Sequence, residues 1–211
     1  MKIRSFTVGP VATQCYLIIN QADNTAFITD PGDDAEMLLR AIDEEKARLK
    51  YVILTHGHFD HVMAVGEILK NTGAKLVVHE DEVPALSDGV LSGCASFGVA
   101  MQDTLKEDIA VKDGDTLDFG GTYLEFMHTP GHTVGSMCIL LGDIILTGDT
   151  LFAGTCGRCD LPGGDYEMML KSLKRLAELK GNFKIYPGHG EPSAIDIERK
   201  YNPYMREALR G

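Results

Sequence analysis

The segment Thr55-His56-Gly57-His58-Phe59-Asp60-His61 directly follows the apolar run Tyr51-Val52-Ile53-Leu54, so three imidazoles and a carboxylate fall within six positions. Such a cluster meets no core-packing need, and it obliges the fold to end a buried strand where several ligands can converge. On an extended backbone, side chains two apart point the same way. His56 and His58 can therefore meet at one ion, while the turn that follows swings Asp60 and His61 toward a second.

Three more polar residues stand among glycines and turn formers at the ends of apolar stretches: His132 in Pro130-Gly131-His132-Thr133, Asp149 in Thr147-Gly148-Asp149-Thr150, and His189 in Pro187-Gly188-His189-Gly190. If His56, His58 and His132 hold one metal, and Asp60, His61 and His189 the other, Asp149 is left to bridge them with one oxygen on each. Each ion then has three protein ligands, the bridge and room for a shared water, which is the open pattern of a catalytic site. Nitrogen and oxygen donors alone suit zinc, iron or manganese. Asp30, at a strand end before Pro31-Gly32, is placed either to accept the free N–H of a ligand imidazole or to cap an ordinary turn.

The order His-x-His-x-Asp-His, Gly-His-Thr, Thr-Gly-Asp-Thr, Pro-Gly-His resembles the metallo-β-lactamase superfamily, and within it the type II glyoxalase (hydroxyacylglutathione hydrolase) branch. The likeness extends to Gln14-Cys15-Tyr16-Leu17, Thr29-Asp30-Pro31-Gly32, Leu151-Phe152-Ala153-Gly154 and Gly157-Arg158. It implies an α/β fold of the four-layer αββα sandwich type. It also implies two divalent metal ions, zinc first, on His56, His58, His132, Asp149, Asp60, His61 and His189, with Asp60 and Asp149 catalytic through the metals they hold.

The reaction implied is hydrolysis of a small-molecule thioester such as S-lactoylglutathione or a related 2-hydroxyacyl thioester. Two cations about 3.5–4 Å apart bring a bridging water from a pKa of about 16 toward about 7, so hydroxide attacks at neutral pH and the thiolate leaves without a general acid. Arg158 matches the basic residue with which the family grips glutathione, and its fork suits a carboxylate. The chain departs from the pattern at Asp160, where an aromatic is expected, and at Gly190-Glu191-Pro192, where another is. Only 22 residues follow His189, too few for the helical glutathione-binding domain of long members, so residues 1–211 are expected to form a single domain of the short bacterial type.

Two other readings stand beside this one. A persulfide dioxygenase shares the early histidine motif and uses a single iron. A metal-binding or redox-sensing module without turnover would use Cys156 and Cys159, although an incidental pair on a loop is the simpler account of Cys156-Gly157-Arg158-Cys159.

Charge and composition narrow the partners. A net charge of −11, with 20 Lys and Arg against 31 acids, argues against a nucleic-acid partner, which calls for a basic stripe. With 44% hydrophobic and 24% charged residues, the 211-residue chain can bury one large core or two fused half-cores. Met1 to Pro10 lacks an apolar signal region, and no stretch of about 18 apolar residues occurs, so neither membrane association nor export is expected. Five cysteines at irregular spacing, with Cys15 and Cys138 in apolar runs, fit a reducing, cytoplasmic setting.

Periodicity divides the chain into two similar halves. Strands are predicted at 2–8, 14–20, 25–29, 51–54 and 75–79, with helices at 35–49, capped by Asp33-Asp34, and at 61–70, stopped near Gly73. In the second half, hairpins turn at Gly120-Gly121 and Gly142-Asp143, followed by a helix at 166–179, a strand at 183–186 and a helix at 192–199. Strand-rich blocks followed by helices, twice, predict two face-to-face sheets with helices outside. The segment 87–113 has no clear pattern and is expected to form a flap. His79 is expected at the surface or beside the site, and His128 outside it, because Pro130-Gly131 breaks any helix that would align it with His132.

Overall fold

In the computed structural model, which describes residues 1–101 and 104–210, six strands form the first sheet in sequence order: β1 (Lys2–Val8), β2 (Thr13–Asn20), β3 (Thr25–Thr29), β4 (Arg48–Ile53), β5 (Lys75–His79) and β6 (Ile109–Val111). The first three are antiparallel and β3 to β6 run parallel. The second half supplies β7 (Thr116–Phe119), β8 (Thr122–His128), β9 (Met137–Leu141) and β10 (Ile144–Gly148), a small hairpin of β11 (Leu151–Phe152) and β12 (Thr155–Cys156), then β13 (Lys184–Pro187) and β14 (Ser193–Ala194). Its sheet runs β14-β13-β10-β9-β8-β7, with β13 parallel to β10.

Side-chain alternation assembles these sheets into layers. Along β2, Tyr16 and Ile18 face the second sheet and pack with Phe126, Ile139 and Leu146, while Leu17 and Ile19 turn outward toward helices. Along β4, Tyr51 and Ile53 point inward and Val52 outward. Both faces of the central strands are therefore buried, and their sequences read as continuous apolar runs. Helices α1 (Ala35–Glu44), α2 (Phe59–Val62) and α3 (Val65–Thr72) belong to the first half, and Leu38, Ile42, Val65 and Ile68 of α1 and α3 cover the outer face of its sheet. After a short α4 (Cys94–Phe97), helices α5 (Tyr166–Glu178), α6 (Ile195–Tyr201) and α7 (Pro203–Ala208) cover the other sheet through Met169, Leu173, Ile195 and Met205. This is the predicted four-layer αββα sandwich. Among the described residues no helix is long and apolar enough to cross a membrane.

Several boundaries differ from the sequence reading. The helix expected over 35–49 stops at Glu44, because Leu49 is needed in the sheet opposite Ala26, and Lys46 takes φ 51° to make the turn. Asp34 does not cap α1 through its side chain but accepts from the Gly9 N–H at 3.0 Å. The helix expected over 61–70 is two helices, broken where the Ala64 N–H donates to the Pro31 carbonyl. The helix expected at 192–199 begins at Ile195, and α7 is an addition, started by Asn202 accepting from Tyr204 and Met205 with Pro203 at the first turn. Segment 87–113 contains α4 and β6, and its residues 102 and 103 lie outside the described ones.

Candidate metal centre

All seven predicted ligands lie at one end of the sandwich, Asp60 and His61 in α2 and the other five in loops or turns. The first sheet contributes His56, His58, Asp60 and His61 from the segment after β4, and the second contributes His132, Asp149 and His189 from the ends of β8, β10 and β13. His58 Nδ1 and His132 Nε2 face each other at 2.8 Å, and with His56 they form one trio whose ligand atoms lie within 4.8 Å of one another. Asp60, His61 and His189 form a second trio, with His189 Nε2 3.3 Å from Asp60 Oδ2 and His61 Nε2 3.6 Å from the same oxygen. Asp149 stands between them. Its Oδ2 is 3.5 Å from both His132 Nε2 and His189 Nε2, and its Oδ1 is 3.6 Å from His61 Nε2. One oxygen thus faces a histidine of each trio, instead of one oxygen serving each side.

The loops bearing these groups are held by the backbone and by neighbouring side chains. The His189 loop is tied to the start of β2, where the Gln14 N–H donates to the Gly188 carbonyl and Thr13 Oγ1 donates to Asp60 Oδ2 at 3.1 Å. A side chain on Gly188 would place its Cβ 2.2 Å from Asp149 Oδ1, so only glycine lets that loop close on the site. The His132 loop rests on α5, through the Asp165 N–H at its N-cap to the Gly131 carbonyl and Ser172 Oγ two turns on to the Pro130 carbonyl. His132 Nδ1 faces the Arg158 carbonyl at 2.7 Å, which fixes the proton there and leaves Nε2 with its lone pair toward the trio.

Asp30 adopts φ 48°, a left-handed backbone rare for a residue with a side chain, and this aims its carboxylate inward. It accepts from the Thr55 N–H and Oγ1, both at 2.7 Å, and its Oδ2 lies 3.3 Å from His61 Nδ1, within ion-pair reach but off the line of an ideal hydrogen bond. Glu82 was not singled out from the sequence, yet it is 2% exposed and braces both halves of the first trio. It accepts from the Gly57 N–H, between His56 and His58, and from Thr133 Oγ1 and the Gly135 N–H just past His132. Nothing local distinguishes it from its neighbours Glu80 and Asp81. Its partners lie 25 to 53 residues away.

Burial, then the neighbouring histidines, holds the His56 pKa well below the usual imidazole value, and the same causes bring His58 down to about 3. Both imidazoles are neutral at pH 7, as metal ligands must be. Burial would raise the Asp60 carboxyl, but His61 and His189 outweigh it and hold it well below the usual range. His61 is the opposite case. Burial pulls its pKa down, but Asp60, Asp149 and Asp30 overcome this and raise it to about 10.

The arrangement fits a pair of cations. Buried His56 Nε2 and Asp149 Oδ1 have no hydrogen-bond partner, and carboxylates concentrated among histidines at low exposure are a ready cradle for positive charge. His79 and His128 do not join the site. They stack on each other with centroids 4.0 Å apart and planes at 12°, and Asp81 lies nearby. Near-parallel rings keep their lone pairs from converging, and His128 Nε2 is engaged with the Val134 carbonyl at 2.9 Å.

A cavity of about 370 Å³ opens over the trios, floored by His58, Asp60, His132, Asp149 and His189. Its walls are Val11, Phe59, Phe97, Phe152 and Leu161, with Arg158 at the side. The Arg158 guanidinium is bound by Asp160 through two hydrogen bonds, Nε at 2.6 Å and Nη2 at 2.8 Å. Cys156 and Cys159 are free thiols in partly buried positions.

Comparison with known proteins identifies the family and the fold. The family model described as Metallo-beta-lactamase superfamily matches residues 8–189. The chain is 33% identical over 209 residues to a Haemophilus influenzae protein named hydroxyacylglutathione hydrolase GloC, an alignment covering 97% of this chain and 98% of that one. Of solved structures, the BLEG-1 B3 metallo-beta-lactamase matches with a TM-score of 0.91 at 31% identity, covering 97% of this chain and 99% of that chain. TTHA1623, in a di-iron-bound form, matches with a TM-score of 0.86 at 30% identity over 95% of this chain and 99% of that one.

Proposed function

The chain belongs to the metallo-beta-lactamase superfamily, and from that premise we propose that it is a dinuclear metal-dependent hydrolase of thioesters, with 2-hydroxyacyl thioesters such as S-lactoylglutathione as the first class to test. One observation carries the reading: Asp149 Oδ2 stands 3.5 Å from a histidine of each trio, so both trios are assembled around a shared carboxylate. The 33% identity to a protein named hydroxyacylglutathione hydrolase supports the thioester class.

In this reading His56, His58 and His132 hold one divalent ion, Asp60, His61 and His189 the other, and Asp149 serves both. When bound, such a pair lowers the pKa of a water toward about 7 and polarises a carbonyl. The chain's own residues do the rest. Arg158, through its carbonyl, keeps His132 in the ligating tautomer, while Asp30 and Glu82 fix the segment carrying His56 to His61. The walls formed by Phe59 and Phe152 confine the acyl group above the floor. Among the described residues lining the cavity, the carboxylates and imidazoles are committed as ligands, and Arg158 is a cation that keeps its proton. The leaving group must depart without a donated proton, which a thiolate does and an alkoxide does poorly.

Metal analysis of the purified protein combined with a hydrolysis panel tests the proposal. Close to two ions per chain, with turnover of a 2-hydroxyacyl thioester well above that of its oxygen ester, is the expected result. One iron per chain with oxygen uptake on a persulfide, or bound metal without hydrolysis of any thioester, lactone or phosphodiester, would overturn it.

A further inference from the structure

The cavity above the trios does not end at its own walls. A second cavity of about 140 Å³ adjoins it, sharing Val11, Phe59 and Asp60. It continues away from the metal ligands past Val8, Met63 and Val99. Val11 is 46% exposed and Phe97 51%, so large apolar side chains border the opening where a soluble protein would ordinarily place polar ones. No other Arg or Lys accompanies Arg158 among the described residues lining either cavity. That one guanidinium already has Nε and Nη2 on the Asp160 carboxylate. An incoming carboxylate would find that face of the fork taken and would meet the Asp160 charge beside the remaining edge.

We propose that this site is shaped for thioesters carrying an elongated, uncharged apolar arm, laid from the metal ligands across Val11 and Phe59 into the second cavity, and that Asp160 sets this preference by occupying the fork that would otherwise grip a carboxylate. The proposal rests on the thioester reading of the site and adds the substrate class. Three features work together. The apolar groove supplies affinity in proportion to the methylenes it covers, Val11 sits where the two cavities meet, and the Arg158–Asp160 pair withholds the reward that a tripeptide thiol would otherwise obtain.

Non-hydrolysable thioethers measure this on the metal-loaded protein without turnover. Two series, S-alkyl-N-acetylcysteamines and S-alkylglutathiones with two to eight carbons, are titrated by calorimetry. In the uncharged series Kd should fall by about fourfold per added methylene until the groove is filled, as burial of a CH₂ requires. The glutathione head should add nothing. Val11→Asp should flatten the chain-length dependence with metal content unchanged. Asp160→Asn should tighten the glutathione series alone, by three- to tenfold, and adding Arg158→Ala to it should remove that gain.

Absence of chain-length dependence, no measurable binding by any member, or glutathione ligands binding tenfold tighter than their uncharged counterparts in the unmodified protein would each overturn the proposal. Hydrolysis is scored separately. Binding of the expected pattern without thioester turnover would refute the hydrolase reading and leave the groove standing, whereas turnover of S-lactoylglutathione without chain-length dependence would refute the groove alone.

Discussion

Replacing Glu82 by Gln removes one charge and little volume from the brace between the His56–His58 segment and the His132 loop. The carboxylate accepts at Oε1 from the Gly57 N–H at 2.9 Å, and at Oε2 from Thr133 Oγ1 at 2.8 Å and the Gly135 N–H at 2.7 Å. An amide keeps at best the two bonds at one oxygen, and its NH₂ then meets the Gly57 N–H donor to donor. A buried donor left without a partner costs about 1–3 kcal/mol, and loss of charge weakens the remaining bonds by roughly another 1 kcal/mol. Relief of the buried charge offsets part of this, since burial raises the Glu82 pKa more than its donors lower it. The net loss is about 2 kcal/mol, or a Tm lower by roughly 4–8 °C for a chain of this size. Because Gly57 and Thr133 adjoin three of the proposed ligands, metal affinity measured against a chelator should also fall by about 10–100-fold, the usual effect of losing a group that orients ligands. If Tm falls equally with and without metal while affinity stays within threefold, Glu82 supports only the fold and the positioning argument fails.

Asp149→Ala should lose metal and thioester turnover together, measured by metal analysis and rate on the same sample, and full dinuclear occupancy in that variant would remove Asp149 from the shared position. In the metal-free protein His61 has its pKa raised to about 10 against an unfolded value near 6.5, so its stabilising contribution is complete below about pH 6.5 and is lost as pH rises through about 10. Melting curves in chelator should therefore decline across that window, curves of the loaded protein should not, and calorimetry in buffers of differing ionisation enthalpy should show proton release on metal uptake. Cys156, whose thiol burial pushes up to about 12, should alkylate slowly, with a rate still rising at pH 9.5; a plateau near neutrality would revive a redox role for the Cys156–Cys159 pair.

Features set by neighbours in sequence were legible, and those set by distant partners were not. The hairpins at Gly120-Gly121 and Gly142-Asp143 lie where turn chemistry places them, since both first glycines take φ 60° and the flanking apolar runs pair directly. The ligand segment stood out for the same reason, four donors within one turn of chain. The end of α1 was misjudged because the charged run 43–46 suits a helix surface as well as a turn, and only the pairing of Leu49 with Ala26 decides between them. Glu82 was invisible because an acid that finds three donors across the fold resembles an exposed one in sequence. Asp160 could be noted as a departure from the expected aromatic, but its capture of Arg158 is a matter of side-chain geometry.

The division of the proposed ligands between the two sheets would make a bound metal pair a clasp as well as the proposed reaction site. His56, His58, Asp60 and His61 come from the first half of the chain, and His132, Asp149 and His189 from the second, so each trio spans the seam between them. Ions bound there join the halves at the end where loops, not interleaved side chains, meet. The far end has its own fastening in Asn20, whose amide donates to the Phe119 and Gly120 carbonyls. Depletion of metal would then loosen the loops at that end first, while the apolar layer between the sheets and the Asn20 bonds keep the two halves together.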